Sequence, residues 1–161
     1  MASIDLLYDV SGLLPTYGSF FSTQTQVNSA GVNTPMTLNN TALSNGVTLV
    51  SGTKLKVARK GVYNVQFSAQ IKRVAGGTLE NVYIWFRKNG VDIPASNTSI
   101  SSQNNGNFYV AAWNIFVDMD VNDYVEIMWE TSSVDLVLIY DTNGYPSQPV
   151  IPSLIVTVSR V

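Results

Sequence analysis

The chain has 161 residues, enough for one domain of ordinary size. It contains neither cysteine nor histidine, which excludes disulfide frameworks, thiol nucleophiles, cysteine–histidine zinc sites and Ser-His-Asp triads. Charged residues make up 12% of the chain, against about 25% in typical soluble domains, and hydrophobic residues reach 45%. So few charges predict that part of the surface is covered by partners, most simply by copies of the same chain.

The formal net charge of −2 comes without a concentrated basic face, so we expect no nucleic-acid binding. Eight of the nine basic residues lie between Lys54 and Lys88, and seven of the eleven acidic ones lie between Asp118 and Asp141. This asymmetry either helps neighbouring subunits to orient or reflects solvated strand ends. No apolar stretch approaches the ~18 residues that a membrane helix needs, so we expect no membrane partner.

The first fifteen residues are predicted to be an extension outside the domain, which we place at residues 16–161. Acidic residues stand where a signal peptide has basic ones, and an apolar h-region is missing, so no signal peptide is expected. Several side chains are nevertheless too apolar for a free tail. They predict contact with a neighbouring subunit or a larger partner, although a terminal edge strand has the same pattern. These residues are Ile4, Leu6, Leu7, Leu13 and Leu14.

From there on, short runs rich in Val, Ile, Tyr, Phe and Thr alternate with Gly, Asn, Ser and Pro clusters, which is typical of an all-β sandwich or barrel. The clearest strand covers residues 61–71, where apolar and polar residues alternate strictly. Pairs such as Asn45-Gly46 and Asn89-Gly90 offer residues that tolerate positive φ and predict short connections.

Four later segments do not alternate: residues 82–86, 124–129, 136–140 and 154–156 are apolar on both faces or nearly so. Such strands have a second face covered, either by an oligomer interface or by a thick internal core. The first interpretation makes their large side chains anchors of contact between subunits. The predicted anchors are Tyr83, Trp85, Tyr124, Met128, Trp129 and Leu154.

Candidate chemistry is sparse. Residues 118–123 space their oxygen-bearing side chains like the start of a calcium loop, but Asp123 stands where that loop needs Gly and Trp129 where it needs Glu. Glu126 and Glu130 suit glycosidase chemistry by residue type alone. Nucleophile elbows, Walker loops and dinucleotide fingerprints are missing from the sequence. We therefore expect no catalytic residue, metal or cofactor, and no enzyme.

Three segments carry a family resemblance. Residues 45–57 run through a tight turn and a short strand into Gly61-Val62-Tyr63 and a long strand. The Lys88-Asn89-Gly90 turn follows an apolar strand, and residues 117–127 read as strand, acidic turn and valine strand, with Asn122 in place of the usual Gly. In this order the elements resemble the tumour-necrosis-factor and complement-globular-head jelly rolls, over about residues 17–160.

The resemblance implies an antiparallel jelly roll of about ten strands in two sheets that assembles as a homotrimer. A version without cysteine, rich in Asn, Ser and Thr, looks like the jelly-roll modules of tailed-bacteriophage virion proteins. The expected function is a trimeric capsid decoration protein, made in the host cytoplasm and found in the virion, whose N-terminal extension contacts the major capsid protein or another virion protein. The alternative is a head-fibre or tail-fibre knob that binds a host-surface receptor or glycan through residues 96–107.

Overall fold

The computed structural model of the protein describes residues 14–142 and 148–161, which form strands and connecting loops. Within these ranges there is no helix long and apolar enough to cross a membrane. The strands are β1 (Tyr17–Ser22), β2 (Thr34–Pro35), β3 (Asn40–Asn45), β4 (Val47–Val50), β5 (Lys54–Val57), β6 (Gly61–Arg73), β7 (Glu80–Lys88), β8 (Val91–Asp92), β9 (Thr98–Ser102), β10 (Phe108–Met119), β11 (Tyr124–Thr131), β12 (Leu136–Leu138) and β13 (Leu154–Arg160).

These strands form two antiparallel sheets. The first sheet has the order β10-β6-β13-β1-β3, with β12 also paired to β6. The second sheet has the order β4-β5-β11-β7-β8, with β2 paired to β11 and β9 paired to β7. The sheets pack face to face, and their inner side chains make one core, in which Phe67 of the first sheet meets Phe86 of the second edge-on at 5.7 Å.

The longest strand confirms the alternation predicted for residues 61–71. In β6 the inward side chains Tyr63, Val65, Phe67, Ala69 and Ile71 are at most 1% exposed. Strict alternation has this result because successive side chains of a strand point to opposite faces of its sheet. The intervening polar residues therefore lie on the outer face of the first sheet.

Two predicted turn positions have the left-handed backbone that they require. Gly46, with φ of 72°, is the only residue between β3 and β4, and there the chain passes from the first sheet to the second. It marks a crossing between sheets rather than a hairpin. Asn122 also has φ of 72°, so it adopts the turn conformation expected of it in place of Gly.

Candidate functional site

The structure corrects the position of three predicted anchors. Trp129 and Leu154 point into the core between the sheets and are 2% and 1% exposed. Met128 points outward from β11, yet it is only 1% exposed, with Trp85 directly across from it on β7 and Pro35 on β2. A side chain already buried in its own protomer has no area left for a partner. For Trp129 and Leu154 the thick internal core is the correct interpretation, whereas Met128 is covered within its own protomer on the outer face of the second sheet.

The other predicted residues lie elsewhere. Tyr83, Trp85 and Tyr124 are on the outer face of the second sheet, where Tyr124 packs under the Lys54 ammonium, 4.8 Å from its ring centre. Of the apolar extension only Leu14 is described, and it is 47% exposed. The remaining extension residues lie outside the described residues, as does most of the proposed 1–15 segment. They are Ile4, Leu6, Leu7 and Leu13.

A cleft of about 560 Å³ opens on the outer face of the second sheet. Its floor includes Tyr83 of β7 and Glu130 of β11, which face each other across the strands, with Trp85 two residues further along β7. Asn33 directly precedes β2, and Asn97 directly precedes β9. Because β2 pairs with β11 and β9 pairs with β7, strand pairing brings these two amides to opposite sides of the floor.

The end of the cleft is fixed by Asp92. Arg87 Nε donates to Asp92 Oδ1 at 2.7 Å, and the Trp85 indole Nε1 donates to the same oxygen at 2.8 Å. The bond from Arg87, followed by that from Trp85, lowers the pKa of the Asp92 carboxyl below its ordinary value. The carboxylate in turn holds the indole ring in one orientation, with Trp85 only 7% exposed.

One wall of the cleft is a short loop pinned by a buried hydroxyl. The Phe86 backbone N–H donates to Ser96 Oγ at 3.0 Å, and Ser96 Oγ donates to the Ile93 carbonyl at 2.8 Å. Between them Ala95 has φ of 58°, a left-handed conformation that is uncommon for alanine. Backbone strain of this kind persists only where surrounding bonds hold it, so the wall is preformed.

The acidic segment at residues 118–123 closes a turn. The Asp123 carboxylate accepts hydrogen bonds from Lys88 Nζ at 2.9 Å, Asn89 Nδ2 at 2.7 Å and the Asp120 backbone N–H at 2.8 Å. These donors, Lys88 first, lower the pKa of Asp123 to about 2. Asp120 is paired with Lys60 at 2.8 Å. Among the described residues, no group of three or more acidic side chains is arranged to hold a metal ion.

A second surface is the outer face of the first sheet, which we call the first-sheet outer face. It is formed by the outward side chains of β10, β6, β13, β1 and β3. Large apolar side chains stand out from it to an unusual degree for a protein surface. They are Phe116 (64% exposed), Val110 (60%), Phe108 (53%), Leu43 (53%), Val62 (41%), Ile155 (41%) and Tyr17 (40%).

Charge is confined to the two ends of this face. Lys72 lies at one end, opposite Phe108, and Asp118 lies at the other, opposite Val62. Between them, every outward position that the structure describes on these five strands is apolar or an uncharged Ser, Thr, Asn or Gln. Near the middle, Ala112 and the strands beside it leave a shallow depression of about 200 Å³.

Neither a protein-family model nor a curated protein sequence matches the chain. Among solved structures, the crystal structure of murine APRIL at pH 8.0 matches it with a TM-score of 0.58, over 92% of this chain and 100% of that chain, at 8% sequence identity. A likeness at this identity shows the fold alone. The chain therefore has the TNF-like jelly-roll fold, which confirms the predicted fold class.

Proposed function

We propose that the protein is a non-enzymatic, homotrimeric virion protein that decorates the capsid of a tailed phage. The main support for a trimer is the composition of the first-sheet outer face. Its centre is uncharged and its apolar side chains are up to 64% exposed in the protomer. Burial of such a surface against other copies removes apolar area from water without stranding a charge.

The shape of this face is compatible with a ring of three copies, which is the assembly that the family resemblance implies. Phe116 protrudes, while the depression beside Ala112 lies elsewhere on the same face. When the protrusion of one copy seats in the depression of the next and this contact is repeated in one direction, the copies close into a ring if the rotation allows it. Three copies arranged in this way would bury the first-sheet outer face and leave the second sheet outermost.

The role in the virion is supported by the sequence. The composition, without cysteine and rich in Asn, Ser and Thr, looks like that of the jelly-roll modules of tailed-phage virion proteins, and the apolar N-terminal residues suit a contact with the major capsid protein or another virion protein. The alternative location is a head fibre or tail-fibre tip that contacts the host. The observation in its favour is the polar cleft on the second sheet, which would stay open in the proposed trimer.

The trimer is tested by introducing a charge on the first-sheet outer face. Phe116→Asp is expected to give monomers, since three carboxylates would be buried in the assembly. Leu79→Asp is the matched control, because Leu79 is equally exposed, at 62%, but lies in the loop between β6 and β7. Light scattering of both folded variants measures the mass. A trimeric Phe116→Asp variant would contradict the proposed interface.

The location is tested by immunogold electron microscopy of intact virions with antibodies against the full chain. Labelling over the whole head is expected for a decoration protein. Labelling restricted to fibres or to the tail tip would support the alternative, and virions without label would contradict a virion role. A variant lacking residues 1–14 is expected to remain a trimer and to lose capsid binding; retained binding would rule out the N-terminal contact.

A further inference from the structure

We propose that the cleft on the second sheet binds a neutral saccharide. The cleft has the size of sites for small organic ligands, at about 560 Å³. It also combines an aromatic surface with several polar groups, as ligand sites generally do. Tyr83 is half-buried on its floor, and Ile93 adds an apolar wall. An aromatic ring of this kind offers a flat apolar surface to the C–H face of a sugar ring.

The polar groups of the cleft have unused hydrogen-bonding capacity. Among the described residues, the side chains of Asn33, Asn97, Tyr83 and Glu130 donate no hydrogen bond and accept none. The two amides and the phenol supply both donors and acceptors, and the carboxylate supplies acceptors. A sugar hydroxyl donates and accepts at once, so this mixed set matches a polyhydroxylated ligand. A cation would leave the amide N–H groups without a partner.

The charge of the cleft selects against anions. Glu130 carries a negative charge that no basic group of the described residues pairs, whereas the charge of Asp92 is offset by Arg87. A sulfate, phosphate or sialic acid carboxylate would be placed beside Glu130 at an electrostatic cost. The favoured ligand is therefore an uncharged sugar.

The cleft is also rigid before any ligand arrives. The Ser96 bonds fix the loop that carries Ile93 and Asn97, and the Asp92 bond fixes the Trp85 ring. A preformed site avoids the entropic cost of ordering loops on binding. The inference is independent of the capsid role and of the trimer, because the cleft opens on the opposite side of the sandwich from the first-sheet outer face.

The test is saturation-transfer NMR on the full chain with millimolar panels of neutral hexoses, N-acetylhexosamines and their disaccharides. Sialylated, sulfated and quaternary-ammonium compounds form the comparison panels. We expect signals from members of the neutral panel only. Lack of any neutral binder, or stronger binding of the anionic or cationic panel, would overturn the proposal.

Two variants of cleft residues test whether the saccharide binds in the cleft. Tyr83→Ala and Asn97→Ala are each expected to weaken the best neutral binder at least tenfold in titration calorimetry. Asn104→Ala is the matched control, an exposed asparagine in a loop outside the cleft, and should leave affinity unchanged. If Tyr83→Ala and Asn97→Ala bind the saccharide as tightly as the Asn104→Ala control, the assignment of binding to the cleft is overturned. The mass of each sample is measured alongside, so a failure of the trimer is recognised separately.

Discussion

Arg73 at the end of β6 is the most deeply buried charged residue that the structure describes, at 1% exposure. Its Nε donates to the Ala75 carbonyl at 2.8 Å, and its Nη1 donates to the carbonyls of Thr78 at 2.6 Å and Ser102 at 2.8 Å. One side chain therefore ties the β6–β7 loop to the end of β9. We predict that Arg73→Met, which keeps the aliphatic stem and removes the donors, destabilises the protein.

The magnitude follows from the three carbonyls. The bond to Ser102 is buried, so its stranded carbonyl costs about 2 kcal/mol, whereas the two loop carbonyls can reach water and cost about 0.5 kcal/mol each. Removing the guanidinium also removes the cost of burying a charge. This gain does not offset the loss, because the three carbonyls that accepted hydrogen bonds from Arg73 stay in place without a donor. We expect a loss of about 3 kcal/mol in the free energy of unfolding.

The assay is urea unfolding followed by tryptophan fluorescence, with all proteins at one concentration so that assembly affects them equally. Lys56→Met is the matched control, since Lys56 is a half-buried strand residue whose side chain makes no hydrogen bond among the described residues, and should change stability by less than about 0.5 kcal/mol. If Arg73→Met unfolds at the same urea concentration as the control, the carbonyl bonds contribute nothing and the reasoning is refuted.

Three further predictions concern single contacts. Ser96→Ala strands the buried Phe86 N–H and is expected to cost about 2 kcal/mol in urea unfolding; a cost below about 0.5 kcal/mol would show that the cleft wall is not pinned there. Gly46→Ala forces a left-handed alanine whose Cβ would lie 2.5 Å from Arg59 Nη1, and should lower the melting temperature by several degrees; an unchanged value would contradict the strain. The pKa of Asp123 is lowered from 3.8 to about 2, so its stabilisation is complete above about pH 5 and lost as the pH falls through 2. Since the pair is open to water, Asp123→Asn should remove about 1 kcal/mol at pH 7 and nothing near pH 1.5; an equal loss at both pH values would refute the charge effect.

The sequence predicts the strands well where one face is polar. In β6 the period of two identifies the buried apolar positions between residues 61 and 71, and Asn122 marks a turn because few residues tolerate its backbone conformation. Three of the six predicted subunit anchors are wrong for a physical reason. Apolar residues on both faces of a strand indicate that both faces are covered. They do not indicate whether the cover is the rest of the same protomer or a second subunit. Met128, Trp129 and Leu154 are covered by their own protomer.

The cleft lies beyond sequence reasoning for a related reason. Asn33, Asp92 and Glu130 are far apart in the chain and meet only because β2 and β7 both pair with β11 and β8 pairs with β7. No local pattern fixes those choices of partner strand. Only Asn97 lies in residues 96–107, the segment predicted to contact a glycan. The buried Arg73 likewise gives no signal, since its sequence neighbours resemble any strand end.

The central claim is that three copies of this chain assemble through the first-sheet outer face. The native mass of the full-length protein at micromolar concentration tests it most directly. We expect a single species at three times the chain mass of 17.6 kDa. A single species at 17.6 kDa would mean that the exposed apolar face has no partner in another copy, and would contradict the proposed trimer.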